Sequence, residues 1–449
     1  MNRIASRAKA LILLVLVLVG GVSFFLAEFV SESGNWIVSQ GSPHVYNGNN
    51  IGCGVVVDRD GTLLLDMTDG RDYSNLSALR KATVHWLGDR YGSISAPALS
   101  QYAEAMAGYT LAGGVYSYGD TGSVAELTLS AKMQLAALEA MEGRKGTVAV
   151  YNYKTGQLLC AVTTPTYDPD DVPSEALDGM YLNRFTQASY IPGSIFKVVT
   201  LAAALEEIPD IEEKTFVCTG SYKIGTEEVI CEGAHWEQSL KSAFRNSCNC
   251  AFGQIALRLG AEKLEAYVEK FGVVKSVSFD GITTQTGNFC AVGEADLNVA
   301  WSAIGQHLDQ INPCAYLTFM GAVANDGVVT TPYLVEKITA GGKPAYDAVP
   351  RTEGRILSQK TAAILREYLR FNVTDKYGAE NFPGLAVGAK TGTAEVGGDR
   401  KPNAMLAGIV ENEELPLAFI VCVEDGGYGR TTCIPIIARV LEEAQKTLN

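Results

Sequence analysis

Hydrophobic positions run unbroken near the start of the chain and then give way to shorter, periodic segments. From Ala10 to Ala27 no residue carries an ionisable side chain, and eighteen such residues suffice to cross a bilayer as a helix. Arg3, Arg7 and Lys9 precede them, a bias that predicts a cytoplasmic tail over residues 1–9, an anchor over 10–29 and an extracytoplasmic remainder. A cleaved signal peptide is the rival reading, with Val19 and Gly21 as its best cleavage positions. Either way the bulk of the protein is exported. The next stretch, "SESGNWIVSQGSPHVYNGNN", is polar and glycine-rich and predicts a stalk.

"IGCGVVVDRDGTLLLDM" then reads as a strand, an Asp-Gly turn and a second strand. Between it and Gly122 there is one helical pattern, "APALSQYAEAMAGY", and no catalytic constellation. Residues 30–125 are therefore expected to form a small pedestal module for packing or partner binding. From Leu127 the period changes: "LTLSAKMQLAALEAMEGRKG" predicts a helix with Met133, Leu135, Leu138 and Met141 apolar, ending at Gly143. "GTVAVYNYKTGQLLCAVTTP" follows as two strands across a Lys-Thr-Gly turn. Much later come "GLAVGAKTGTAEV", "AMLAGIVENEELPLAFIVCVED" and a closing helix, "IPIIARVLEEAQKTL". Strands at both ends, flanked by a first and a last helix, predict an α+β domain over residues 126–449. Its single antiparallel sheet is split by a largely helical insertion, roughly 165 to 385.

Composition narrows the function classes. The 449 residues are 47% hydrophobic, as folded material requires, and 50 acidic against 36 basic residues give a net charge of −14. With no basic stripe, nucleic acid is excluded as a partner. Ten cysteines in an exported chain permit disulfides. Cys218 and Cys231 bracket a predicted hairpin that brings their sulfurs together; His235, Cys248 and Cys250 lie close enough for a zinc site, and free thiols are the third reading. His44, His85 and His307 stand alone and read as structural.

Candidate chemistry begins at "YIPGSIFKVVTLAAALEE". The Pro-Gly pair resists helix, and everything from Ile195 is apolar or small except Lys197, so a buried helix starts at Ser194 with a lysine one turn on. Burying a charged amine is unfavourable unless it is paired or neutralised. A neutral amine beside a serine hydroxyl is a general base, and a helix start supplies N–H groups where an oxyanion forms. The spacing alone is weak, since Ser6 and Lys9 share it in the tail. Two further motifs follow in order. "RNSCNCAF" offers Ser247 and Asn249, suited to passing a proton and holding a carbonyl; "GAKTGTAEV" offers Lys390, a second cation, with Thr391, Gly392 and Thr393 on a predicted strand. Gly392 is expected to clear space for a substrate backbone. Ser33-Gly34-Asn35 and Lys154-Thr155-Gly156 match the same patterns but lie in the stalk and in a hairpin turn.

With three motifs in this order the chain resembles the class B penicillin-binding proteins, monofunctional peptidoglycan D,D-transpeptidases. The likeness runs from about Val55 to the end and is carried by "NRFTQASYIPGSIFKVVTLAAALE", "LKSAFRNSCNCAFGQIALRLG" and "WSAIGQHLDQINPCAYLTFMGAVANDGVVTTP". The resemblance implies the transpeptidase fold shared with serine β-lactamases. It also implies acylation of Ser194 by a stem peptide ending in D-Ala-D-Ala, transfer of the acyl group to an amine, and acylation by β-lactams. Carried over residue by residue, Lys197 is the general base, and Ser247, Asn249 and Lys390 relay protons and position substrate. Thr391 and Thr393 grip the terminal carboxylate beside Gly392, and the N–H groups of Ser194 and Thr393 form the oxyanion hole. No metal or organic cofactor is implied. His307 departs from the pattern, where relatives carry glycine, and "NAMLAGIV" lacks an aromatic residue usual there.

A serine β-lactamase is the nearest rival, but the sequence identifies no extra base to activate water. A membrane β-lactam sensor needs further spans or a signalling domain, and a non-catalytic scaffold within a wall-synthesis complex is the third alternative. The stretch of about 100 residues before the transpeptidase region is short for a glycosyltransferase domain, so a membrane glycosyltransferase is expected as a partner. Division, elongation and sporulation are equally compatible with the motifs.

Overall fold

The computed structural model describes residues 2–39, 42, 45–47, 50–68, 70–112, 114 and 122–448; His44 lies outside them. Helix α1 (Asn2–Ile37) is the one helix among the described residues long and apolar enough to cross a membrane, with a mean hydropathy of 2.9 over its most apolar stretch. At 1.5 Å per residue it reaches roughly 54 Å, well beyond a hydrocarbon core of about 30 Å. The stalk expected from Ser31 onward is therefore helical as far as Ile37. Its polar side chains stay on the helix, Ser31 Oγ donating to Glu28 O (3.1 Å) and Asn35 Nδ2 to Glu32 Oε2 (2.8 Å).

The strands Val55–Val57 and Leu63–Asp66 pair antiparallel around the Asp-Gly turn, as the pattern predicts. Asp58 is buried beneath that turn: Oδ1 accepts the N–H groups of Asp60 and Thr62, and Oδ2 accepts that of Ala131 at 2.9 Å. One carboxylate thus ties the hairpin to the start of the next domain's first helix, where an acidic group is favoured. The sheet built on this hairpin has six strands, in the order Lys343–Asp347, Val335–Ala340, Ser123–Leu127, Val55–Val57, Leu63–Asp66, Asp72–Tyr73. The boundary expected at residue 125 falls inside one of these strands, and two others come from more than 200 residues downstream. "APALSQYAEAMAGY" forms two short helices broken at Tyr102, whose hydroxyl donates to Asp280 Oδ1 (2.8 Å) and whose ring lies 4.4 Å from that of Tyr346.

Helix α2 (Ala131–Met141) begins where Ser130 Oγ accepts the Met133 N–H, and buries Met133, Ala136, Ala137 and Met141. Strands β1 (Gly146–Asn152) and β2 (Leu158–Thr164) follow. The insertion contains α3 (Lys197–Glu207), α4 (Leu240–Asn246), α5 (Asn249–Leu259) and α6 (Pro313–Ala324). It also holds two ribbons: Ser221–Ile224 paired with Glu227–Ile230, the hairpin expected between Cys218 and Cys231, and Thr215–Cys218 paired with Trp236–Ser239, which the sequence pattern did not mark. Strands β3 (Val387–Ala394), β4 (Asn403–Glu411) and β5 (Pro416–Val423) and helix α7 (Gly429–Leu448) close the domain.

These five strands form one antiparallel sheet in the order β3-β4-β5-β1-β2. Side chains alternate between its faces, and both faces are covered, which is why the strands read as unbroken apolar runs. Val148, Val150, Leu406, Phe419 and Val421 pack with α2 and α7. Ala149, Tyr151, Ala407, Ile420 and Cys422 face the insertion, meeting Ile195, Phe196, Tyr316 and Met320. The contact is close at Gly321 of α6, where a Cβ would lie 1.6 Å from the Tyr151 hydroxyl. Gly321→Ala should therefore destabilise the fold by about 1–3 kcal/mol through overpacking. Denaturant unfolding of the detergent-solubilised protein measures this, and an unchanged midpoint would contradict the packing described.

Candidate active site

Sequence dictates the first motif's geometry through Gly193. It has φ +53°, and a Cβ there would lie 2.7 Å from Thr393 O, so only glycine lets this turn press against the edge of β3. A short 3₁₀ helix over Gly193–Phe196 then leads into α3, as expected for a helix starting beside Ser194. In a 3₁₀ turn residues three apart eclipse, which aligns Ser194 and Lys197 better than an α-helix would. Lys197 Nζ lies 3.0 Å from Ser194 Oγ, and the lysine is fully buried.

The second motif sits at the turn between α4 and α5. Ser247 ends α4 in the left-handed region (φ +58°), its N–H donating to Phe244 O, while Asn249 opens α5. A serine in that conformation is strained, and the turn directs its hydroxyl between two amines: Lys197 Nζ at 3.2 Å and Lys390 Nζ at 3.0 Å. Asn249 Oδ1 accepts from Lys197 Nζ at 2.7 Å, and its Nδ2 donates to Ile230 O at 2.9 Å.

Lys197 Nζ thus has four oxygen neighbours: Ser247 O (2.7 Å), Asn249 Oδ1 (2.7 Å) and the hydroxyls of Ser194 and Ser247. The carbonyl and the amide oxygen can only accept, so they take two N–H groups. A neutral amine then has its lone pair directed at the hydroxyls and can accept a proton from one. Burial favours that state, lowering Lys197 to about 8 against the opposing pull of Cys231, Cys248 and Glu232. Lys390, also fully buried, is pushed well below its ordinary value by desolvation and then by the charge of Lys197. Two ammonium groups sharing the Ser247 hydroxyl repel, so protonating one opposes protonating the other.

Strand β3 is an edge of the sheet. Thr391 donates from both its N–H (3.2 Å) and its hydroxyl (3.0 Å) to Tyr377 Oη. Its N–H therefore points off the edge, and by the pleat so does that of Thr393. Gly392 corrects an expectation: a Cβ there would meet Pro192 O (2.9 Å) and Ile195 Cγ2 (3.1 Å), so the close approach is to the Ser194 turn and not to a substrate backbone. Ser194, Ser247, Asn249, Thr391 and Thr393 line one cleft of about 530 Å³. Sequence reasoning missed Glu232, Trp301, Lys376, Tyr377 and Arg430, which line it too. Lys376 and Tyr377 lie in a π-helical turn after an amphipathic helix, and no periodicity or spacing marks them. The decoys lie elsewhere, Ser33 in α1 and Lys154 bonded to Asn325 Oδ1.

Comparison with known proteins identifies the family. Residues 146–442 match the penicillin-binding protein transpeptidase domain. The chain belongs to that family, among its class B members. This penicillin-binding protein is similar to the peptidoglycan D,D-transpeptidase PbpA of Mycolicibacterium smegmatis, with 29% identity over 68% of either chain. Its fold is similar to that of penicillin-binding protein A from M. tuberculosis in a ceftriaxone acyl-enzyme complex (25% identity, TM-score 0.77, 87% of this chain and 98% of that one). A D,D-transpeptidase domain from Eggerthella lenta is likewise similar (27%, TM-score 0.74, 88% and 98%). In this penicillin-binding protein His307, read from the sequence as a departure from a family glycine, has φ +67°, a left-handed conformation that favours glycine; its Nε2 lies 3.5 Å from Glu294 Oε2. His85 is structural as read, buried with Nε2 2.9 Å from Met180 O. All ten cysteines are unpaired, so Cys218 and Cys231 form no disulfide. Tyr377→Phe should leave the Thr391 N–H and hydroxyl without their acceptor and cost about 1–3 kcal/mol of stability. Thermal unfolding read by circular dichroism tests this; an unchanged transition would contradict it.

Proposed function

We propose that this protein is a peptidoglycan D,D-transpeptidase acting through an acyl-enzyme on Ser194, and that β-lactams acylate the same serine. The observation that carries the reading is the Lys197 amine, 3.0 Å from the Ser194 hydroxyl and satisfied on its other side by two acceptor-only oxygens. Neutral Lys197 takes the Ser194 proton as Oγ attacks the carbonyl of the penultimate D-Ala. The N–H groups of Ser194 and Thr393 stabilise the oxyanion. The proton passes through the Ser247 hydroxyl, shared by Lys197 and Lys390, to the departing D-Ala amine. An amine from a neighbouring stem peptide then attacks the acyl group and completes the cross-link. Asn249 holds the substrate amide, and Thr391 and Thr393 hold the terminal carboxylate near the cationic Lys376 and Arg430.

In this reading α1 is a single-pass anchor that holds the catalytic domain outside the membrane, on a pedestal built around the six-stranded sheet that Val335–Ala340 and Lys343–Asp347 complete. Strand polymerisation comes from a membrane glycosyltransferase partner. The relatives support the reading: one is named for this activity and another is acylated by ceftriaxone.

Incubation with a fluorescent penicillin tests it. Wild-type protein should keep the label for hours and Ser194→Ala should take none; labelling of the variant would refute the nucleophile, and rapid turnover of the drug would indicate a β-lactamase. A second expectation concerns pH. Lys197 is active only when deprotonated, so the acylation rate should rise about tenfold per pH unit below 8 and level off above it. A flat profile between pH 6 and 9 would contradict a base with that ionisation.

A further inference from the structure

Outside the catalytic set, four metal-ligating side chains converge. Cys218 ends one ribbon strand, Cys231 follows Glu227–Ile230, His235 precedes Trp236–Ser239, and Cys248 lies between α4 and α5. Their ligand atoms all fall within 4.8 Å of one another. Cys231 Sγ is 3.6 Å from His235 Nδ1 and 4.0 Å from Cys248 Sγ. A tetrahedral zinc ion with Zn–S about 2.3 Å and Zn–N about 2.0 Å requires edges of roughly 3.8 Å between sulfurs and 3.5 Å between sulfur and nitrogen. A disulfide requires about 2.05 Å between two sulfurs and has no use for a third thiol and an imidazole. We infer that Cys218, Cys231, His235 and Cys248 form a closed, four-ligand structural zinc site.

The surroundings suit a cation held by thiolates. Cys248 Sγ accepts the Ala251 N–H (3.4 Å) at the start of α5, where the helix dipole favours negative charge. Main-chain bonds from His235 N to Cys218 O (3.0 Å) and from Cys231 N to Gly220 O (2.9 Å) hold the ribbon ends together. Cys250 lies beside the cluster as a further thiol, in contact with Cys218, Cys231 and Cys248, and its Sγ donates to Val229 O (3.8 Å).

The placement gives the site a task. Cys248 is the residue between Ser247 and Asn249, and Asn249 Nδ2 is bonded to Ile230 O, next to Cys231. A metal joining Cys248 to Cys231 clamps the turn that holds Ser247 at φ +58° and aims it at both lysines. This effect on acylation rests on the function proposed above; the metal site does not.

The test uses full-length, detergent-solubilised protein without a polyhistidine tag. Elemental analysis should find about one zinc per chain, falling below about a third in Cys231→Ser and His235→Ala and unchanged in Cys290→Ser. Replacement by cobalt should give thiolate-to-metal charge transfer with tetrahedral ligand-field bands. Chelation should lower the melting temperature and slow penicillin labelling about tenfold, with recovery on adding zinc. Full zinc content in Cys231→Ser, or metal-free protein whose intact mass is two hydrogens short, would overturn the site. Zinc loss without slower labelling would overturn the clamp alone. Zinc retained by a protein that no penicillin labels would leave the site standing and count against the proposed function instead.

Discussion

Everything in the cleft depends on one amine having no water around it. Lys197 is enclosed by the first turn of its own helix, the Ser247 turn and Asn249, and its four oxygen neighbours come from segments about fifty residues apart. A lysine in that setting is unfavourable as an isolated charge and useful as a base. The penalty of burying it is offset by the two acceptor-only oxygens, which also direct its remaining valence toward hydroxyls. Lys390 acts on the same balance from the opposite side, since two adjacent ammonium groups in a buried space disfavour each other.

The rest of the architecture serves to bring three distant segments to that point. The sheet presents β3 as an edge, with Lys390 reaching inward to Ser247 and the N–H groups of Thr391 and Thr393 facing off the edge. The insertion supplies the other two motifs and packs through Phe196, Tyr316 and Met320 onto the opposite face of the same sheet from α2 and α7. Gly193 and Gly392 permit the contact between the two parts, one through its backbone conformation and the other through the missing side chain.

Much of this was legible in the sequence, for identifiable reasons. The sheet strands, α2 and the hairpin around Asp60 carry strong local patterns, and the three motifs are recognisable by residue type, order and setting. What was hidden depends on distant pairing. Val335–Ala340 joins Ser123–Leu127 across more than 200 residues, so a boundary drawn from local composition cuts through a sheet. Tyr377 meets Thr391 from a π-helical turn with no periodic signature, and Gly392 was read toward the substrate because its neighbour, the Ser194 turn, lies far off in the chain. Ser31–Ile37 read as a stalk because polarity alone does not end a helix whose side chains bond to its own backbone.

The central claim is that Lys197 is held near neutrality by its surroundings before any substrate arrives. The most direct measurement is the ionisation of that side chain in the resting protein, followed by NMR of lysines labelled with ¹³C at Cε, with Lys197→Arg identifying the resonance. The account predicts a Lys197 midpoint near about 8. A Lys197 resonance that stays in its ammonium form up to about pH 10, like a solvent-exposed lysine, would contradict it.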